Sequence, residues 1–307
     1  MKHLFLGLAL ALTSTSTFAM NISYQEDQCN RGGAINCHNL SEAYYKADEV
    51  YQNFKVALDF GIRACELGNA PSCQRVGHMF EYEEGTYKNM QYSYSYHHRG
   101  CELGNAKSCF DAGRIKYYAL DGIQDLGYAL TLYEKACELK NSNGCNDAAL
   151  MHQNGVATPQ DFTKSNELFS RGCSLGGALP CNNLGVSYVK GYGVSQNYKV
   201  AARFYVKACD KGNAWGCTNL GDFRRKGLDG IKDYKRAMDL YHKACDLNNS
   251  QACNSVGIMY QNGEGVKRNY DSAYRYYVKA CDMGFEFGCS NADKIYDYPK
   301  SRIIYTQ

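Results

Sequence analysis

From Asn53 onward the chain repeats one pattern of apolar and polar positions. A large apolar residue is followed three residues on by Ala or Ser, then by a large apolar pair, then by Ala or Gly. In Tyr198, Ala201, Phe204, Tyr205 and Ala208 this 3- and 4-residue spacing marks one face of a helix, here called B. An Asn or Asp precedes each run, at Asn53, Asn89, Asp125, Asp161, Asn197, Asp233 and Asn269, and is predicted to cap its helix by accepting a first-turn amide. Each run ends near a cysteine. A glycine suited to a left-handed C-cap usually follows, at Gly68, Gly104, Gly176, Gly212 and Gly284. A second helix, A, carries the next cysteine in its first turn, and its apolar face in one unit holds Cys181, Leu184, Gly185 and Tyr188. Glycine recurs within helix A at Gly77, Gly113, Gly185, Gly221 and Gly257. A mid-helix glycine costs ~1 kcal/mol relative to alanine, so its recurrence predicts a close helix contact there. Pro71 and Pro180 fall near helix-A starts, where a missing amide proton is harmless. Turns such as Gly191-Tyr192-Gly193-Val194 lead from A into the next B.

The cysteines set the period. They stand at Cys29, Cys37, Cys65, Cys73, Cys101, Cys109, Cys137, Cys145, Cys173, Cys181, Cys209, Cys217, Cys245, Cys253, Cys281 and Cys289: eight Cys-x7-Cys pairs, each starting 36 residues after the last. This predicts an all-α array of helix–turn–helix units over 20–293, with 294–307 as a terminal cap or tail. Zinc ligands are usually spaced by two to four residues and often include His, and a reactive thiol would stand alone beside a base. One cysteine ends helix B and the next opens helix A, so eight local disulfides, Cys29–Cys37 through Cys281–Cys289, fit the spacing best. No metal site and no cofactor are expected.

Lys2 and His3, the apolar stretch Leu4 to Leu12, and Thr17-Phe18-Ala19 read as a cleaved signal peptide over 1–19. That stretch is too short to span a bilayer, no later segment is apolar enough, and no cysteine stands at a lipoprotein cleavage site. A secreted or periplasmic chain is expected, which agrees with disulfides. At 45% hydrophobic and 21% charged residues the chain is globular in composition, and a net charge of +3 without a basic run argues against nucleic acid and anionic membranes. A monomer is expected.

The run Asn183-Leu184-Gly185-x2-Tyr188-x2-Gly191-x-Gly193-Val194-x2-Asn197-x3-Ala201-x2-Phe204-Tyr205-x-Lys207-Ala208-Cys209 resembles a Sel1-like repeat, a relative of the tetratricopeptide repeat. With one Cys-x7-Cys per 36 residues, the whole predicted mature chain is similar to the Helicobacter cysteine-rich proteins. The resemblance implies a right-handed α/α solenoid, secretion, and binding with slow hydrolysis of penam and cephem nuclei. It carries over no catalytic residue.

The residues themselves offer little hydrolytic chemistry. Ser187-Tyr188-Val189-Lys190 matches Ser-x-x-Lys, but the companion Ser-Asp-Asn and Lys-Thr-Gly motifs are missing. Other units hold Met79, Ile115, Met151, Phe223, Met259 and Ile295 at the position of Ser187, which marks it as a packing position. His97 and His98 alone make no metal site and read as a helix-B surface. A basic residue near the end of each B helix (Arg63, Arg99, Lys135, Arg171, Lys207, Lys243, Lys279) complements the helix dipole and can pair with an acid three residues on. Variable polar residues on helix A, expected on the concave surface, are the candidate ligand contacts: Asn39, Arg75, Asp111, Asp147, Asn183 and Asn219, with Ser255 and the adjacent Asn146, Asn182 and Asn254. A ladder of amides suits a peptide backbone or a carboxylate. Two functions follow: a β-lactam-binding protein or slow β-lactamase, implied by the resemblance, or a non-enzymatic scaffold for peptides, host proteins or cell-envelope partners with peptidoglycan-like groups.

Overall fold

The computed structural model describes residues 21–296; the expected signal peptide and residues 297–307 lie outside the described residues. Sixteen helices and no strand occur among the described residues. They are α1 Ile22–Asn30, α2 Ala34–Lys46, α3 Phe54–Glu66, α4 Ala70–Tyr82, α5 Met90–Glu102, α6 Ala106–Tyr117, α7 Leu126–Glu138 and α8 Ser142–Asn154; then α9 Phe162–Ser174, α10 Ala178–Lys190, α11 Tyr198–Asp210, α12 Ala214–Lys226, α13 Tyr234–Asp246, α14 Ser250–Asn262, α15 Tyr270–Asp282 and α16 Glu286–Tyr296. Odd-numbered helices are B and even-numbered are A. Each packs chiefly on its neighbours in sequence, which is the contact pattern of a solenoid. Lys294 lies in the last turn of α16, so the boundary expected at 294 falls within a helix.

The seven expected B caps each accept the amide of the residue three positions on, as Asn197 does from Val200. The same device, unforeseen, starts most A helices: Asn69, Asn105, Asn141, Asn213 and Asn249 cap α4, α6, α8, α12 and α14. After each B helix the chain turns through the left-handed region, at Gly68 with φ 91° for example, and re-enters a helix within four residues. All eight predicted disulfides close across these corners, with Cα–Cα distances between 4.5 and 4.8 Å.

The helix-A glycines do meet a neighbour closely. The ring four residues before the helix-B cysteine packs directly on the glycine: Tyr133 on Gly113, Tyr205 on Gly185, Tyr241 on Gly221 and Tyr277 on Gly257. These rings are buried and link each A helix to the B helix that follows it. The basic residues of helix B stand in the last turn as expected, and three of them do more. Arg99 does approach Glu102 at 3.8 Å, but Arg63 donates to Asn30 Oδ1 at 2.7 Å, Arg171 to the Glu138 carbonyl at 3.1 Å, and Lys279 stands 3.7 Å from Asp246. Each of these three reaches back to the C-terminal turn of the previous B helix, where cations meet unpaired carbonyls, and so ties successive repeats together.

Candidate functional site: the A-helix groove

Successive A helices touch at most steps along the array, whereas B helices do so at fewer. Successive A helices therefore pack more closely on one another than successive B helices do, and the candidate residues lie along this A-helix face. The contact is most extensive between α8 and α10. There the structure assembles four candidate amides into one directed chain. Asn219 Nδ2 donates to Asn182 Oδ1 at 3.0 Å, and Asn182 Nδ2 to Asn183 Oδ1 at 3.3 Å. Asn183 Nδ2 donates to Asn146 Oδ1 at 2.9 Å, and Asn146 Nδ2 to Asp147 Oδ1 at 2.9 Å. The relay crosses α12, α10 and α8 and ends on a carboxylate. Asn146 and Asn182 are buried, while Asn183 and Asn219 are half-buried. Each amide keeps a second N–H and a second lone pair beyond the bonds within the relay. A separate rung, Asn291 Nδ2 to Asn254 Oδ1 at 2.9 Å, joins α16 to α14.

The other candidates divide. Asn39 is half-buried at the first step, outside the bonded run. Arg75 is held by Glu42 at 2.6 Å and lies 4.1 Å over the Tyr45 ring. Arg114, on the next A helix, pairs with Glu81 at 2.6 Å. The lining is thus ionic over α2 to α6 and amide-rich over α8 to α12. Asp147 shares a cavity of about 100 Å³ with Tyr117, Tyr118, Tyr133 and Met151. Burial raises its carboxyl above the ordinary value, against the opposing bond from Asn146. A raised folded value means that ionised Asp147 works against folding at neutral pH. Asp147→Asn keeps the acceptor for Asn146 and installs the residue found at 183 and 219. It is expected to unfold at a higher temperature than the native protein at pH 7, with the gain fading as pH falls through the raised folded value and gone below about pH 4, where unfolded Asp protonates too. Melting curves at the two pH values check this.

Asp111 departs from the amide pattern. It is buried, and its Oδ2 lies 3.2 Å from His78 Nε2; that bond holds the carboxyl below its ordinary value although burial acts the other way. His97 corrects the sequence reading: it is no surface residue but fully buried, on Gly77, in the place that Tyr133 or Tyr241 takes in other repeats. Burial pushes its imidazole down to about 3. Comparing His97 with the tyrosines at its own place in the period would have shown it to be core. Ser187 is also buried, with its hydroxyl donating to the Asn183 carbonyl at 3.2 Å, while Lys190 points to solvent. The two do not form a nucleophile–base pair.

The Sel1 repeat family matches seven successive segments, from 37–69 to 250–285. Comparison with curated protein sequences returns no match. Among solved structures the chain is similar to c5321, a protective antigen of uropathogenic Escherichia coli strains with an SLR fold: TM-score 0.82 at 22% identity, over 90% of this chain and 59% of that one. The chain thus spans less than two thirds of that protein's length. A Sel1 repeat protein from Oxalobacter formigenes gives TM-score 0.75 at 18% identity, over 89% of this chain and 79% of that one. Helicobacter pylori cysteine rich protein B is 30% identical over 43% of this chain and 94% of its own, with a TM-score of 0.36. With the matched segments running through nearly all of the described helices, the chain belongs to the Sel1 repeat family.

Proposed function

We propose that this protein is a rigid binding scaffold of an oxidising compartment, and that it holds an extended peptide segment along its A-helix groove. The relay from Asn219 to Asp147 carries the reading. Its amides are fixed by their neighbours, so they offer donors and acceptors in set positions without losing rotamer freedom on binding. An extended backbone alternates donors and acceptors and can satisfy such a row. The disulfide at every corner supports the same use, since a stapled groove changes little on binding.

The resemblance to the Helicobacter cysteine-rich proteins adds a β-lactam reading. A penicillin imitates an acyl-D-Ala-D-Ala terminus, and its amide and carboxylate suit the same row. Binding without accelerated ring opening is the expected outcome, because the Ser187 hydroxyl is buried on a backbone carbonyl. Calorimetric titration with acyl-D-Ala-D-Ala peptides, an extended-peptide library and benzylpenicillin tests both readings. Asn183→Ala with Asn219→Ala is expected to weaken binding ~10-fold, at ~0.5–1.5 kcal/mol per lost hydrogen bond. Undiminished affinity in that double variant would remove the ligand from this groove. Turnover above the buffer rate would replace the scaffold reading with an enzymatic one.

A further inference from the structure

We propose that His78, His97 and Asp111 form a binding site for a divalent transition-metal ion, Zn(II) being the ion that suits two imidazoles and a carboxylate. One ligand atom of each lies within 4.8 Å of the other two. The set comes from three helices of consecutive repeats, α4, α5 and α6, so it exists only in the folded array.

His97 is the strongest observation. It fills the place where neighbouring repeats put Tyr133, Tyr205, Tyr241 and Tyr277, and its ring seals Gly77 as those rings seal their own glycines. A phenol or phenyl ring would serve that packing. His97 instead buries two ring nitrogens, and neither has a hydrogen-bond partner. An unpaired buried polar group is costly and asks for an explanation. A metal ion supplies one, since it takes the lone pair of a neutral imidazole directly. His78 stands edge-on to His97, with ring centroids 5.3 Å apart and planes at 84°. Its Nε2 is 3.2 Å from Asp111 Oδ2. Ligand atoms of a tetrahedral zinc stand about 3.3 Å apart for bonds of ~2.0–2.1 Å, so His78 and Asp111 already stand at that spacing and the His97 nitrogen lies within 4.8 Å of both. The carboxylate offsets one of the ion's charges.

Access is also present. His78 forms part of the wall of a polar cleft of about 200 Å³ with Gln74, Arg75, Tyr82 and Lys107. An ion can enter from that side, and water can complete its coordination there. Two His and one carboxylate leave such a position open.

The test uses the full-length oxidised protein without an affinity tag. Zn(II) is titrated by calorimetry, and Co(II) is added as a spectroscopic substitute. One equivalent is expected to bind at low-micromolar affinity or tighter, with visible Co(II) bands and a higher melting temperature. His97→Tyr installs the residue of the neighbouring repeats, so the glycine contact persists while the ligand is lost. His78→Gln removes a second ligand at a half-exposed position and serves if His97→Tyr misfolds. Each is expected to weaken binding by at least ~100-fold, since even outer partners of a metal site are worth ~10–100-fold. Failure of the native protein to bind Zn(II) saturably would overturn the proposal. So would stoichiometric binding that survives His97→Tyr or His78→Gln in a folded protein.

Discussion

Reducing the eight disulfides under otherwise native conditions is expected to melt the helices at 25 °C, not merely to lower the melting temperature by a few degrees. Each bridge closes a loop between cysteines eight apart, which the chain-entropy treatment values at ~2.6 kcal/mol. Even at half that value, eight bridges contribute on the order of 10 kcal/mol, the scale of a whole domain's stability of ~5–15 kcal/mol. A solenoid has few compensating contacts, because each repeat rests only on its neighbours. The corner is also closely packed. A Cβ on Gly172 would lie 2.9 Å from Pro180 Cγ, and one on Gly216 would lie 2.6 Å from Ala208 Cβ. Far-UV circular dichroism against reductant concentration, with free thiols counted by alkylation and mass spectrometry, makes the measurement. Full helicity with all sixteen thiols alkylated would show that the repeats hold without their staples.

The second large effect lies at Gly257. A Cβ there would stand 2.6 Å from two atoms of the Tyr277 ring and 3.1 Å from the Ala273 carbonyl oxygen. Tyr277 is fully buried and cannot swing out without opening the core. Gly257→Ser is therefore expected to cost ~1–3 kcal/mol through overpacking, despite a better helix propensity. Tyr277→Gly is expected to cost ~3–5 kcal/mol through the cavity it leaves. The two together should cost at least ~1 kcal/mol less than their sum. The first repeats show why. There Gly61 replaces the ring, Ser41 replaces the glycine, and the Ser41 hydroxyl donates to the Ala57 carbonyl at 2.7 Å. Where the ring is Phe169, the opposing residue is Ala149. Urea unfolding of the oxidised variants gives the coupling; strict additivity would show that ring and glycine are not partners.

The fold was legible because its devices repeat at fixed places in the period. Caps such as Asn197, turn glycines such as Gly68 and the paired cysteines each mean the same thing in nearly every unit. The A-helix caps, Asn69 to Asn249, recur in five units but lie inside the Cys-x7-Cys interval, which reads only as a staple. The groove was less legible. Asn183 and Asn219 were identified as candidates, yet their bonds run to residues 37 positions away, one period plus one. Comparing like places in successive repeats cannot reveal a contact that steps across them. His97 is hidden for a different reason: beside His98 it looks like a surface pair, and only its alignment with Tyr133 marks it as core. Asp111 was grouped with the amide row because it shares their place, whereas the presence of His78 turns it to another task.

The corner bridges also simplify how the chain oxidises. Sixteen cysteines can pair in about two million ways, so a protein with distant partners would need extensive reshuffling to find its own set. Here the native partner is always the next thiol along, and eight residues separate the two. A polypeptide emerging from its N-terminus presents each thiol to its correct mate before the following pair appears. Plain consecutive oxidation then yields the native topology, and an oxidant that passes its own disulfide to each thiol pair, leaving as a dithiol, suffices where an isomerase would otherwise be required. The same locality lets whole repeats be gained or lost by duplication or deletion without orphaning a half-cystine, provided the exchange keeps the frame of 36.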